Sequence, residues 1–307
     1  MQPWARPESP EGIDGPTPVP RAGIYRPVPS TAARTADLRS LATFEIVDQA
    51  ASFWRRRVAT VVTLTLVATL PVQLLSMLAC RSGSACVGLQ PGPLSAGALG
   101  QGEDVAVALV LAVLAGLAAQ LAAGAIAHVV TAERLGNPLT ASAALRLAGR
   151  RYPAIAAAWL LGHAFLLITG CTVVGPLVVM TLFLVATPAI AIEGLGPIAG
   201  LRRSWRLGRR RFWPMLGVGL ASGLVASMLG LAFSALPLAL AIGPLTRFEW
   251  ALRPLAQQLQ VLVAVPLTAT AAALAYLDLR VRSEGLDLQL DAELAFPSTG
   301  ARRAVTH

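Results

Sequence analysis

The sequence contains no lysine; all 25 of its basic residues are arginine. That removes any phosphate-binding Gly-Lys loop, and the bias itself fits a GC-rich coding genome more readily than a mechanism. Charge of either sign is scarce, at 13% of residues, where a water-soluble domain carries about 25%. Three cysteines are too few for a disulfide scaffold, and there is no Gly-X-Y period of a collagen. No Cys, His or carboxylate spacing matches a zinc or iron site, so no metal and no other cofactor is expected. What the chain has instead is apolar surface: 55% of its 307 residues are hydrophobic, and the mean hydropathy is +0.64. It is expected to be an integral membrane protein.

Crossing the hydrocarbon takes about 20 residues without charge, because an Arg or Asp at mid-bilayer costs roughly 2.5–3.5 kcal/mol. Five charge-free runs qualify, at 58–80, 105–132, 152–192, 212–246 and 254–277. The third, 41 residues long, is punctuated by Thr169-Gly170-Cys171-Thr172-Val173-Val174-Gly175-Pro176 and should hold two spans joined by a tight hairpin. The fourth is long for one span and short for two, and Pro237 and Pro244 point to one span with a bent or interfacial end. The expected fold class is all-α, a polytopic helical membrane protein with six transmembrane helices.

Arginine distribution orients this bundle. With the N-terminus in the cytoplasm, 22 Arg lie inside and only Arg81, Arg247 and Arg253 outside; a single span over 152–192 would change the split to 14 against 11. The expectation is a multi-pass plasma-membrane protein with both termini cytoplasmic. Three regions follow: 1–37, a disordered tail holding eight of the 22 Pro; 38–277, the six-span membrane domain; and 278–307, a cytoplasmic C-terminal tail. The Pro-rich tail reads as plain disorder or as a docking ligand. No cleavable signal peptide is visible, so the first span should serve as the targeting signal. Cys80, Cys86 and Cys171 fall on the outer side, where a Cys80 to Cys86 bridge and free thiols are both open.

Each pair of spans is preceded by a similar segment. In GPIAGLRRSWRLGRRRFWP, Ile198, Leu201, Trp205, Gly208 and Phe212 form one helical stripe, and Arg202, Arg203, Arg206, Arg209 and Arg210 spread over the other side. Sixty residues earlier stand Pro138, Ala141, Leu145, Ala148 and Tyr152, and 154 residues earlier Phe44, Val47, Ala51, Trp54 and Val58. Arg57, Arg151 and Arg211 close the three copies. The pattern predicts a threefold repeat of basic interfacial helix plus two-span hairpin, with the plainer account being Arg that precedes spans in any bacterial membrane protein. A basic amphipathic helix of this kind should lay its stripe in the acyl boundary with Arg toward anionic headgroups. Arg202, Arg203, Arg206, Arg209, Arg210 and Trp205 are therefore the candidate lipid or partner contacts; no nucleic-acid partner is expected.

Nothing in the spans reads as catalytic. Their ionisable groups are His128 and His163, and the latter is expected to make a neutral interhelical hydrogen bond. The lack of Asp, Glu or Arg in any span core argues against an ion-coupled transporter. Gln120, Gln257, Gln258 and Gln260 are the other polar candidates, and Gly116, Gly124, Gly219, Gly223 and Ser227 read as packing seams. Ser222, in Gly219-Leu220-Ala221-Ser222-Gly223, is one position off an intramembrane protease pattern and has no evident base. In AYLDLRVRSEGLDLQLDAEL the acidic residues face the Arg-rich helices; the stretch reads as a solvated continuation of the last helix, or as an acidic segment docked on those Arg. Asp278, Glu284 and Asp287 would make a poor cation cage with Arg280 and Arg282 between them.

Two stretches, PAIAIEGLGPIAGLRRSWRLGRRRFW and YLDLRVRSEGLDLQL, resemble the signatures of an actinobacterial membrane-protein family often labelled the membrane domain of glycerophosphoryl diester phosphodiesterase. The resemblance spans roughly residues 38 to 292 and implies a six-span bundle in the plasma membrane. On its pattern Glu193, Gly194, Gly196, Pro197, Arg202, Ser204 and Trp205 match the first motif, and Tyr276, Asp278, Arg280, Arg282, Glu284, Gly285, Asp287 and Leu288 the second. The label does not imply an activity here, since such an enzyme needs a separate barrel domain. The expected function is non-enzymatic, a scaffold or accessory subunit of the cell envelope with a membrane or cytoplasmic protein partner. The alternatives are a transporter of lipid or small molecules and the membrane part of a glycerophosphodiester-related system.

Overall fold

In a computed structural model, residues 41–82, 105–172, 174–240 and 248–286 are described. The tail 1–37, Cys86, Pro244, Asp287 and the rest of the C-terminal tail lie outside them. The described residues form nine helices and no strand.

Local chemistry sets the helix ends. Helix α1 (Thr43–Arg56) opens with the Glu45 carboxylate accepting the Ala42 N–H at 3.2 Å, and Arg57, at φ −117° and ψ 28°, breaks it from α2 (Val58–Arg81). Helix α3 (Val105–Arg134) is followed by Gly136 at φ 73°. The Thr140 hydroxyl accepts the Ala143 N–H and caps α4 (Ala141–Thr169). After a turn, α5 (Val174–Phe183) and α6 (Ala186–Glu193) return, and Gly194 ends α6 in the left-handed region at φ 69°. Pro197 starts α7 (Pro197–Arg210), Arg211 breaks it from α8 (Phe212–Leu240), and Gly285 terminates α9 (Glu249–Glu284).

Six helical segments are long and apolar enough to cross a membrane: Val58–Arg81, Val105–Arg134, Ala141–Thr169, Val174–Glu193, Phe212–Phe233 and Trp250–Glu284. The hairpin expected at 169–176 is there, between the end of α4 and the start of α5. Among its described residues the run at 212–246 holds one segment long and apolar enough to span, Phe212–Phe233, as expected. Helix α8 runs on through Pro237 to Leu240, and α9 accommodates Pro254 and Pro266; packed helices tolerate a proline because neighbours re-satisfy the freed carbonyl. The fourth span, by contrast, is interrupted at residues 184–185.

The repeat has a structural counterpart. Ile46, Ala50 and Phe53 are the buried residues of α1, and Gly200, Ser204 and Leu207, each 154 positions later, are buried in α7. Arg57 and Arg211, the same distance apart, are the two helix breaks. In the second copy Ala144 and Ala148 are buried, matching Ser204 and Gly208, but α4 continues straight through Arg151. Each amphipathic segment packs on the spans of a neighbouring unit: α1 on α8 and α9, the start of α4 on α3, and α7 on α5 and α6. The three units therefore close on one another as a ring. Helices α3, α6 and α9 lie at its centre, where Ala122–Ala132, Ala186–Ile192 and Leu267–Leu279 are almost wholly buried. At 30 and 36 residues, α3 and α9 extend about 45 and 54 Å, beyond the ~30 Å hydrocarbon thickness. Their Arg-rich ends are what the amphipathic segments cover.

Candidate functional site at the Arg-rich end of the bundle

The buried faces of α1 and α7 are displaced from the sequence stripe. Of that stripe, Leu201 and Gly208 are buried, but Ile198 and Trp205 are 62% and 45% exposed, and Phe44 of the first copy is 79% exposed. Helix α7 thus has three sides. One is small and packs on protein: a Cβ on Gly200 would collide with the Ile190 side chain, and the Ser204 hydroxyl donates to the Leu182 carbonyl at 2.6 Å. A second flank carries Ile198 and Trp205 outward. The third, opposite the buried side, is arginine.

Five arginines were candidates, and the structure divides them. Arg203 turns inward, with its side chain 15% exposed. Its Nε donates to both Glu193 oxygens at 3.0 and 3.1 Å, one Nη donates to Glu193 Oε1 at 2.8 Å, and the same Nη donates to Glu284 Oε2 at 2.8 Å. The other Nη also pairs with Glu284. Arg280 Nε donates to Glu284 at 3.2 Å, and the fully buried Tyr276 hydroxyl donates to Glu193. Burial opposes the Arg203 charge, but hydrogen bonds to Glu284 and Glu193 and their Coulombic pull outweigh it, so its pKa lies above the ordinary arginine value. Arg202, Arg206, Arg209 and Arg210 are exposed, and among the described residues none has an acidic partner.

A second clamp sits beside the first. Asp278, nearly fully buried, accepts the Leu41 N–H at 2.7 Å and the Arg282 Nε at 2.9 and 3.0 Å, while Arg282 donates to the Leu41 carbonyl at 3.0 Å. In the first unit Arg57 Nε donates to Glu133 at 2.8 Å. In the second, Arg151 lies against Gly194, where a Cβ would come within 2.7 Å of its guanidinium. Gly194 therefore serves both the left-handed turn and the Arg151 approach. Of the motif residues, Glu193, Asp278, Arg280, Arg282 and Glu284 are brought together here, and Asp287 lies outside the described residues. As far as Glu284 this stretch continues α9, and its last turn docks on the basic helix, since Glu284 reaches Arg203. Among the described residues no group of His, Cys, Asp and Glu could hold a metal ion.

A family model described as a domain of unknown function, DUF7847, matches residues 41–279. The chain belongs to this family. No curated protein and no solved structure matches the chain. The match carries no activity, and nothing in it extends to a glycerophosphodiester label or to an actinobacterial source. Its bounds have a structural counterpart: the residue it starts on, Leu41, is hydrogen-bonded to Asp278, next to its last residue.

Inside the spans several polar groups bind one another, whereas Thr131 Oγ1, Thr270 Oγ1 and Gln258 Oε1 are buried without a hydrogen bond among the described residues. Gln258 Nε2 donates to Thr69 Oγ1 at 2.9 Å, Gln73 Nε2 donates to the Pro254 carbonyl, and the Thr187 hydroxyl donates to Gln120 Oε1 at 2.6 Å. Gln260 packs beside Gly230. Ser222 donates to its own helix, at Val218 O, and is engaged by backbone as an ordinary buried serine. His163 is exposed and bonds the Trp159 carbonyl one turn back at 2.9 Å, so the expected interhelical bond is an intrahelical one. Cys80 is disulfide-bonded and Cys171 is an exposed free thiol. The sequence reading missed Gln73 and Thr69. The signal was available, because Thr65, Thr69, Gln73 and Ser76 fall on one face of α2 at i, i+4, i+8 and i+11.

Proposed function

We propose that this chain is a non-catalytic integral membrane protein of the plasma membrane, a scaffold or accessory subunit in the cell envelope whose Arg-rich end faces the cytoplasm. The observation that carries the reading is the division of α7. Arg203 is spent on a static ion-pair network that ties α6, α7 and α9, and four neighbouring arginines stand outward on the rigid surface so formed. A fixed, densely cationic face is suited to holding acidic partners. The chemistry within the spans supports the same reading, since their glutamines and serines are engaged by helix packing.

The test is affinity purification of the tagged chain from its own membranes in mild detergent, with every co-purifying protein quantified. A partner retained in stoichiometric amount is the expected result. A chain that emerges alone and moves labelled lipid or solute across liposomes would overturn it.

That second outcome is the transporter reading. The polar seam of Thr65, Thr69, Gln73 and Ser76 against Gln258 favours it, with Pro71, Pro254 and Pro266 on the helices that form the seam. Substitution of Gln73 and Gln258 by Leu should then abolish flux. A role as the membrane part of a glycerophosphodiester-related system would require a separate catalytic partner among the retained proteins.

A further inference from the structure

Helix α7 is more than a basic face. On a helical wheel of 3.6 residues per turn, Arg209 and Arg202 come directly after Trp205 and Ile198, and Arg206 follows. Arg203 lies farthest from that apolar flank and closest to the buried network, which is why it alone finds carboxylates. Arg202, Arg206 and Arg209 stand at i, i+4 and i+7, a row about one turn apart. Beneath them the apolar flank continues across other helices. The Trp205 ring centroid is 6.5 Å from that of Phe183 in α5, and Phe183 is 6.0 Å from Phe165 in α4. Trp205 and Phe165 are both about half exposed on the outside of the bundle.

From this geometry we infer that the outer surface of α4, α5 and α7 is a binding site for one anionic phospholipid. Arg202, Arg206 and Arg209 hold the headgroup phosphate, and the acyl chain lies along Trp205, Phe183 and Phe165. Three guanidinium groups supply the charge-assisted donors that a phosphate diester takes, and they are not consumed by any described acid. The aromatic ladder starts at Trp205, between Arg202 and Arg206 along the helix, and runs from there onto α5 and α4, a surface that a free phosphate or an acidic peptide would not use. The companion surface in α1 lacks this combination. Arg55 and Arg56 are exposed there, but Ala51 stands where α7 has Trp205. The inference uses three of the four arginines on which the scaffold reading rests, but the two fail separately, because retained lipid and a retained protein partner are read in different experiments.

Native mass spectrometry of the full chain tests it, with phosphatidylglycerol or phosphatidylcholine of the same acyl chains added to the detergent. Wild type should retain one phosphatidylglycerol under activation that strips phosphatidylcholine, at roughly tenfold preference. The R202Q/R209Q variant should lose that preference, and Trp205→Ala should weaken retention of both lipids. Glycerol phosphate added in excess should not displace the lipid, because it has no acyl chain for the ladder. The R55Q/R56Q variant should behave as wild type, and melting of each variant in detergent confirms folding. Equal retention of the two lipids by wild type overturns the site, as does equal loss in R55Q/R56Q, which would mean diffuse attraction to charge. Displacement by glycerol phosphate would overturn the acyl contact and leave a plain phosphate site in its place.

Discussion

Arg203 and Glu193 face each other as a fork, with the guanidinium Nε shared between both carboxylate oxygens at 3.0 and 3.1 Å. The far side of the same guanidinium engages Glu284, 81 residues away in sequence. One side chain therefore joins the end of the fourth span to the end of the sixth.

Glu193→Gln leaves that guanidinium with one carboxylate in a largely buried setting. A loss of about 1–3 kcal/mol is expected, read as a lowered melting midpoint in detergent. Arg203→Lys should show a loss of the same order although it keeps the charge, because an ammonium has no planar fork. A double-mutant cycle on Arg203 and Glu193 that returned no coupling would remove the network from the account.

Tyr276 is fully buried, and its hydroxyl donates to Glu193. Tyr276→Phe keeps the ring and deletes the donor, for an expected cost of about 1 kcal/mol. The effect should vanish when Glu193 is already Leu, which offers the hydroxyl no acceptor.

The clamp of Asp278 on Leu41 predicts a local effect. In Asp278→Asn the Leu41 N–H and the Arg282 guanidinium lose a charged acceptor, so α1 should loosen from α9. Hydrogen exchange should rise over residues 43–56 and stay unchanged over α5, on which α1 does not pack; uniform exchange would sink the clamp.

Gly200 lies so close to Ile190 that α7 has no room for a larger residue there. Gly200→Val should cost about 1–3 kcal/mol through overpacking. Ile190→Ala in the same chain should recover part of that loss, whereas a clash with some other group would leave the double variant no better than the single.

Orientation can be read from one thiol. Cys80 is disulfide-bonded and Cys171, in the turn between α4 and α5, is free and exposed. A membrane-impermeant maleimide should label intact cells, with labelling abolished by Cys171→Ser. Labelling only after lysis would place this turn, and with it the whole topology, the other way round.

Much of this molecule can be read along the chain. The six spans and the hairpin near Gly170 follow from where charge is missing, since the penalty for a charge in hydrocarbon is local and needs no knowledge of neighbours. The repeat is legible for a similar reason: Arg57, Arg151 and Arg211 are spaced with their stripes, and two of them are helix breaks in the fold. Six arginines between 202 and 211 likewise declare a basic face.

Which arginine does what is not legible there. Arg202 and Arg203 are adjacent and chemically identical, yet one is exposed and the other is held by two glutamates. The difference is about 100° of helix rotation set by Gly200 and Ser204 docking on α6 and α5. The shift of the buried face from Val47 to Ile46 has the same origin, because a helix with two apolar sides shows protein one and leaves the other outward only once its neighbours are in place. Glu193, Tyr276 and Glu284 meet for that reason too. Local cost placed the spans, and the azimuths at which three units close on one another chose the partners.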